Sequence, residues 1–430
     1  MKKKVLLVKP PEKASLNFGA FSLGVLASAI RDLTDVIILD ATDILVDDVC
    51  KYIGTHEPDI IGITVMGLTS IRPAALLIQH IKKVANQNYH LLKDALIIAG
   101  GHGASTAYTP LLNAGADAVV IGEGELTLRQ ILTTGIKVGN PGVVCLDGNK
   151  IVIGPKQDLI RPLDLLNPPA RDLMPTPVNG VYLMETSRGC PHDCGFCETT
   201  RFFGQVWRPH SPDRVVTEIK RVVDNYNAWI IHFADDNFAA DPYRVMEICK
   251  KLQNVQLPAF IMASARADDL VSRPELIPLM ASAHILRMTV GVETLDPQLA
   301  KTIKKTISIE TYKKVFKLMR NNGIFSIASF IIGIPGETIN ARRHALDLAI
   351  EIEPDSAHFL PFVPLPGIPL HSENIIYDAD PKDIKDAMTL TQKFHQYQSV
   401  KKRLSDASEH GGIRGLLARA TLHRQANVCG

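Results

Sequence analysis

Ser187-Arg188-Gly189-Cys190-Pro191-His192-Asp193-Cys194-Gly195-Phe196-Cys197-Glu198 puts three cysteines within eight residues. Three thiolates on one short loop can hold three irons of a four-iron cluster and leave the fourth open to a substrate or cofactor. A closed structural zinc site needs four ligands, usually with a second Cys or His pair at a matching interval, and none follows here. A disulfide framework suits a short, cysteine-dense secreted chain. This one has seven cysteines in 430 residues, and no cleavable apolar leader is expected from its first residues. Cys50, Cys145, Cys249 and Cys429 have no partner at ligand spacing and read as buried or incidental thiols.

The spacing Cys-x3-Cys-x-aromatic-Cys, with Phe196 in the aromatic place, resembles the signature of the radical S-adenosylmethionine (SAM) superfamily. That resemblance implies a [4Fe-4S] cluster on Cys190, Cys194 and Cys197. It also implies an open iron that chelates SAM, and a 5'-deoxyadenosyl radical formed when the cluster is reduced.

Composition sets the bounds around this loop. Hydrophobic residues at 46% and charged residues at 21% describe a globular chain, and 430 residues are too many for one ordinary core. A formal charge of +2 supplies no electrostatic reason to expect nucleic acid as the partner. The longest apolar runs, Ile60 to Leu68 and Ile324 to Ile334, fall short of the roughly 20 residues of a spanning helix. A cytoplasmic location is expected, where a reducing environment suits an oxygen-sensitive cluster.

The expected fold class is α/β throughout, because β-rich runs alternate with amphipathic stretches. The first five strands are expected at Val5 to Val8, Val36 to Leu39, Ile60 to Val65, Ala95 to Ala99 and Ala118 to Ile121, making a Rossmann-like or flavodoxin-like domain over residues 1–140. A hairpin at Val143 to Val152 and a Pro-rich linker occupy 141–178. Six further strands, at Val181 to Glu185, Trp229 to Phe233, Ala259 to Ser264, Leu286 to Val290, Ile327 to Ile332 and His358 to Phe362, predict a partial (β/α)6 barrel over 179–370. A short helical C-terminal extension covers 371–430, with one helix from Pro381 to Arg403 and a basic tail expected to be mobile or partner-covered.

The cysteine loop follows the first barrel strand, so the cluster belongs on the face where the strands end. Each later strand end carries a polar or glycine segment: Asp235-Asp236-Asn237, Ser264-Ala265-Arg266, Glu293, and Gly333-Ile334-Pro335-Gly336. Singly these read equally well as helix caps and turns. Their order is similar to that of the SAM seat in the family. The resemblance implies SAM contacts at Phe196, Asp235, Asp236, Asn237, Ser264, Arg266, Glu293, Gly333, Ile334 and Gly336, with Glu293 on the ribose and the glycine turn on adenine. Arg188 reads either as a positive charge near the cluster or as a salt bridge to Glu185 or Asp193, and His192, inside the loop, either as a cluster ligand or, as expected, as a residue beside the cluster or in solvent.

In the first domain, Thr64, Gly100-Gly101-His102-Gly103 and Gly122-Glu123-Gly124 stand at strand ends, where glycines let backbone approach a bulky ligand. The segments around them look like the cobalamin-binding domain of one large radical SAM class, and the resemblance covers about Lys4 to Pro369. The Asp-x-His-x-x-Gly motif that supplies a lower cobalt ligand in mutases is absent from the loop Pro10 to Gly19, so any cobalamin is expected base-off without a histidine ligand. The resemblance implies a cobalamin-dependent methyltransferase acting on an unactivated carbon of a small molecule, with flavodoxin or ferredoxin as electron donor. Two rivals stand beside it: a cyclase or rearrangement enzyme like the anaerobic magnesium-protoporphyrin cyclase, and an N-terminal domain that serves only as a ligand-free docking or dimerisation module.

Overall fold

The early strands are near-continuous apolar runs, as expected where helices cover both faces of a parallel sheet: Val5, Leu6, Leu7 and Val8 are all buried. A computed structural model of the chain describes residues 2–12, 19–87, 90–177, 180–364, 366–370 and 379–428. Cys429 and residues 13–18 of the loop searched for a cobalt-binding histidine lie outside the described residues.

Two compact units result, one of Met1–Gly180 with Leu365–Gly367, the other of Val181–Pro364 with Ile368–Gly430. The first runs β1 (Lys4–Lys9), α1 (Phe21–Ile30), β2 (Asp35–Asp40), α2 (Val46–His56), β3 (Ile60–Thr64), α3 (Ile71–Gln87), β4 (Leu96–Gly100), α4 (His102–Thr106), α5 (Tyr108–Asn113), β5 (Ala118–Val120), α6 (Gly124–Thr134), β6 (Val143–Asp147) and β7 (Lys150–Ile153). The sheet order is β2-β1-β3-β4-β5-β6-β7. The first five strands pair parallel, in the flavodoxin-like order whose switch point lies between β1 and β3. The hairpin expected within the linking segment instead extends this sheet: β6 pairs antiparallel with β5, and β7 with β6. Val5, Leu7, Leu23, Ile30, Ile60, Ile98 and Leu128 belong to the core beneath it.

The second unit begins with β8 (Val181–Met184) and a two-stranded ladder of β9 (Ser187–Arg188) and β10 (Arg208–Pro209) enclosing α7 (Thr199–Phe203). It continues with α8 (Pro212–Tyr226), β11 (Ile230–Phe233), α9 (Pro242–Gln253), β12 (Phe260–Ala265), α10 (Ala267–Val271), α11 (Leu276–Ser282), β13 (Ile285–Glu293), α12 (Pro297–Thr302), α13 (Ile309–Asn321), β14 (Phe325–Ile332), α14 (Ile339–Glu351) and β15 (Ser356–Pro361). Six strands pair parallel in the order β8-β11-β12-β13-β14-β15. The barrel is therefore open between β8 and β15. Helix starts here are locally encoded: Ser211, Asp241 and Asp296 each cap a helix that has Pro at its first position. Gly323, just past α13, takes φ +74° as a helix terminator should.

The C-terminal expectation needs correction. One helix was expected from Pro381 to Arg403, but the structure has α15 (Pro381–Gln396) and α16 (Gln398–Glu409), broken at the extended residue Tyr397. Phe394 and Val400 are six residues apart, so on one straight helix they would point about 120° away from each other; both are buried in the same core, which the break permits. The tail expected to be mobile or partner-covered is α17 (Gly412–Val428), with Ala418 in that core.

Candidate functional site

The cysteine loop is anchored at its root by buried polar contacts. Asp235, at the end of β11, accepts from the Thr186 backbone N–H (2.7 Å), the Thr186 hydroxyl (2.5 Å) and the Ser187 hydroxyl (2.6 Å). Asp236 accepts from the Gly189 N–H (3.1 Å) and the Thr199 hydroxyl (2.7 Å), spanning the cysteines from both sides. Arg244 donates to the carbonyls of His210 and Thr186. Arg188 forms a fork on Glu185 (2.9 and 3.0 Å), which is the salt-bridge reading of that arginine. Burial pushes the Glu185 carboxyl up, but Arg188 and His210 outweigh it and hold the pKa at about 2. Gly189 has φ +84°, and a Cβ there would run into the Val206 carbonyl, so the loop can close only over glycine.

All three loop cysteines are free, Cys194 buried and the other two half-buried. Burial raises each thiol, Cys190 to about 11. Such thiols shed their protons when a metal takes the thiolate. At Cys194 and Cys197 some neighbours favour that charge, against the carboxylates of Asp236 and Glu293. Arg266 Nη1 stands 3.3 Å from Cys194 Sγ, Lys305 and Arg266 both draw the Cys194 pKa down against burial, and Thr199 bonds to Cys197. Among the described residues no three His, Cys, Asp or Glu side chains gather as ligands of a single ion. Three separate thiols with cationic and N–H neighbours fit a cluster better than one zinc.

Several of the expected SAM residues converge on this loop, and most are already engaged. Phe196 and Ile334 meet in one apolar patch with Leu299, Ile303 and Leu370. Asn237 donates to Asp269 (2.6 Å), which also lies 3.2 Å from His192 Nε2, so the His192 side chain of the loop is tied to Asp269 and is not in open solvent. The Arg266 guanidinium forks onto Asp268. Ser264 accepts at its carbonyl from Phe238 N–H. Glu293, at φ +66°, pairs with Lys305 at 2.9 Å, both side chains being buried. Gly333 N–H donates to Glu337, and Gly336 takes φ +89° with open space where a Cβ would be. Lys305, Asp268 and Asp269 were missed by sequence reasoning: Asp268 pairs with Arg266 two residues before it, Lys305 with Glu293 across α12, and Asp269 with Asn237 and His192 on other strand-end loops.

In the first unit the glycines divide into two kinds. A Cβ on Gly101 (φ +115°) would stand 2.6 Å from the Val65 carbonyl oxygen, and one on Gly103 would strike the Gly67 carbonyl. These two are required by the domain's own backbone, whose Gly103 N–H donates to Val65 O (3.0 Å). Gly100 would meet only Val120 at ordinary contact distance. Gly122 (φ +82°) is different: its Cβ would enter open space, and its N–H donates to the Ser105 hydroxyl. Glu123 is buried and accepts from Ile160 N–H at 2.8 Å; Gly124 lies against Leu26. Thr64 donates to the sulfur of the half-exposed Met66, and His102 opens α4. The helices that begin at these strand ends, α1, α2, α4 and α6, all lack a side-chain cap. Helix starts without side-chain caps and a bare glycine at the carboxyl edge of an open sheet suit a large ligand.

Comparison with known proteins agrees with both halves. The radical SAM superfamily profile matches residues 184–349 and the B12 binding domain profile residues 15–132. An uncharacterized methyltransferase of Pyrococcus horikoshii is 31% identical over 385 residues, covering 85% of this chain and 81% of its own. The anaerobic magnesium-protoporphyrin IX monomethyl ester cyclase of Rubrivivax gelatinosus is 28% identical over 79% of this chain and 63% of its own. The fold resembles that of the radical SAM methyltransferase TsrM from Kitasatospora setae, with a TM-score of 0.73 at 20% identity, over 86% of this chain and 75% of that one. Among the described residues no helix is long and apolar enough to cross a membrane. The paired domains imply a [4Fe-4S] cluster, SAM and cobalamin as cofactors. The chain belongs to the radical SAM superfamily of enzymes, in the group that joins a B12-binding domain to the radical SAM domain.

Proposed function

We propose that the protein methylates an unactivated carbon of a small molecule. The observation that carries this reading is the coexistence in one chain of a three-thiol loop with cationic neighbours and a flavodoxin-like sheet whose strand-end helices are uncapped beside Gly122. When bound, the cluster with SAM supplies hydrogen-atom abstraction and cobalamin supplies methyl transfer. The residues would divide the work as follows. Cys190, Cys194 and Cys197 hold the cluster, and Asp235 and Asp236 keep their loop in shape through its backbone N–H groups. Phe196 and Ile334 offer SAM an apolar wall, while Asn237, Ser264, Arg266, Glu293, Gly333 and Gly336 edge the seat. Thr64, Gly100 to Gly103 and Gly122 to Gly124 form the cobalamin edge, with Gly122 the position that leaves room. A flavodoxin or ferredoxin would deliver the electron.

The test is anaerobic reconstitution with iron, sulfide and cobalamin, followed by incubation with methyl-labelled SAM and a small-molecule extract of cells lacking the protein. Transfer of label to a new compound is expected. Formation of 5'-deoxyadenosine and a product carrying no label would favour the cyclase or rearrangement reading. Failure to retain cobalamin would leave the first domain as a docking module.

A further inference from the structure

The six-stranded sheet has two unlike faces. Ile231 and Ile261 pair in register, as do Phe233 with Met184, Ala263 with Met288, and Ala265 with Val290, and all are buried in the core against the helices. The interleaved rows face the other way. One row runs Leu183, His232, Met262 and Arg287 across four adjacent strands; another pairs Ser264 with Thr289, and a third runs Gly291, Ser329 and His358. Apart from Met262, these residues are partly or largely exposed. In a closed eight-stranded barrel that face is filled by branched apolar side chains. Here it carries His232, Ser264, Arg287, Thr289, Ser329 and His358, all at least partly exposed, so it is not packed as a core.

Arg287 stands out within it. Its guanidinium Nη1 lies 3.5 Å from the Met262 sulfur, and among the described residues no carboxylate pairs with it. Burial alone acts on the guanidinium, pushing its pKa down with no acidic neighbour to oppose it. Its row neighbour His232 is held down to about 4 by burial and by Arg287, so it is neutral at physiological pH and adds no second positive charge beside the guanidinium. A half-buried, always-charged guanidinium without a carboxylate costs stability unless an anion arrives. Its planar fork of donors matches an oxyanion.

We propose that Arg287 is the anchor of the substrate: the molecule acted on carries a carboxylate or phosphate group that pairs with the Arg287 guanidinium on this face of the second sheet. This builds on the proposed reaction for the word substrate, while the binding claim stands on the geometry. Ser264, Thr289 and Ser329 on the same face present hydroxyls toward the uncharged remainder of the ligand.

The test uses the whole, anaerobically reconstituted protein, titrated with sodium phosphate and separately with sodium acetate at constant ionic strength, and reads the melting temperature. At roughly tenfold excess over Kd, at least one anion should raise the wild-type Tm by about 2 °C. Arg287→Met should abolish the rise and Arg287→Lys should keep a smaller one; Arg287→Gln repeats the comparison should the methionine variant fold poorly. A rise with phosphate alone identifies a phosphate-bearing substrate, and one with acetate alone a carboxylate. In anion-free buffer Arg287→Gln should melt at or above the wild type, because a structural arginine would be missed whereas a binding arginine is not. An equal rise in wild type and in the neutral variants, no rise with either anion, or a neutral variant that melts well below wild type without anion would overturn the assignment. None of these readings depends on methyl transfer, so the two proposals fail separately.

Discussion

Single residues near the cluster loop separate ligand from scaffold. Cys190→Ala, Cys194→Ala and Cys197→Ala should each abolish the visible absorbance of the reconstituted cluster and SAM cleavage, yet leave the circular dichroism spectrum unchanged, because the loop's shape is set by Asp235 and Asp236 and not by the thiols. Retention of the chromophore by any one variant would remove that cysteine from the ligand set. Glu293 demands a more careful experiment than truncation. It is one half of a buried pair with Lys305, so Lys305→Met alone leaves an uncompensated buried carboxylate and should cost about 3–5 kcal/mol in chemical denaturation. The double variant Glu293→Gln with Lys305→Met should recover most of that loss. If SAM affinity falls in the stable double variant, Glu293 serves the cofactor; if affinity is unchanged, the pair is scaffold.

At the scale of the loop and strand, the glycines give opposite expectations. Gly101→Ala adds a Cβ at φ +115° against the Val65 carbonyl and should destabilise the first unit, by roughly 1–3 kcal/mol for the backbone strain alone. Loss of cobalamin in that variant would say little. Gly122→Ala places its Cβ in open space, so it should reduce cobalamin retention, measured by absorbance after gel filtration, with a smaller effect on the melting temperature. Equal cobalamin retention in Gly122→Ala and wild type would remove Gly122 from the ligand edge. Sequence reasoning placed both glycines at strand ends, which local β/α alternation makes plain. It assigned both to the ligand edge, and the close approach of Val65 to Gly101, which adds a backbone requirement there, is invisible along the chain. The hairpin at Val143 was legible as a hairpin for the same local reasons, but its pairing with β5 was not. The break at Tyr397 escaped notice because it answers to a core contributed by other elements.

For the whole molecule, acid should act in two stages through groups of the second unit. His232 has a folded pKa of about 4, below its ordinary 6.5. The unfolded chain therefore binds that proton more readily, so the stabilisation is complete above pH 6.5 and is lost as pH falls toward 4. Glu185, held at about 2 against an ordinary 4.5, contributes stability that is complete above 4.5 and disappears as pH falls to about 2. Denaturant midpoints measured across this range should decline on acidification, and His232→Gln should flatten the upper stage. A decline of the same size in that variant would show that other groups carry it. The sequence by itself determined the loop cysteines and their spacing, the β/α order of both units, and the Ser-Pro and Asp-Pro helix starts. All of these arise from interactions between residues a few positions apart, or from periodicity that a short window contains. Only the tertiary structure decided that Glu293 belongs with Lys305, that Asp269 joins His192 to Asn237, that Gly101 is tight while Gly122 is open, and that Arg287 lacks a carboxylate. Each of those depends on which residues from separate strands, strand-end loops and helices the folded chain brings side by side, and no short window of sequence contains that.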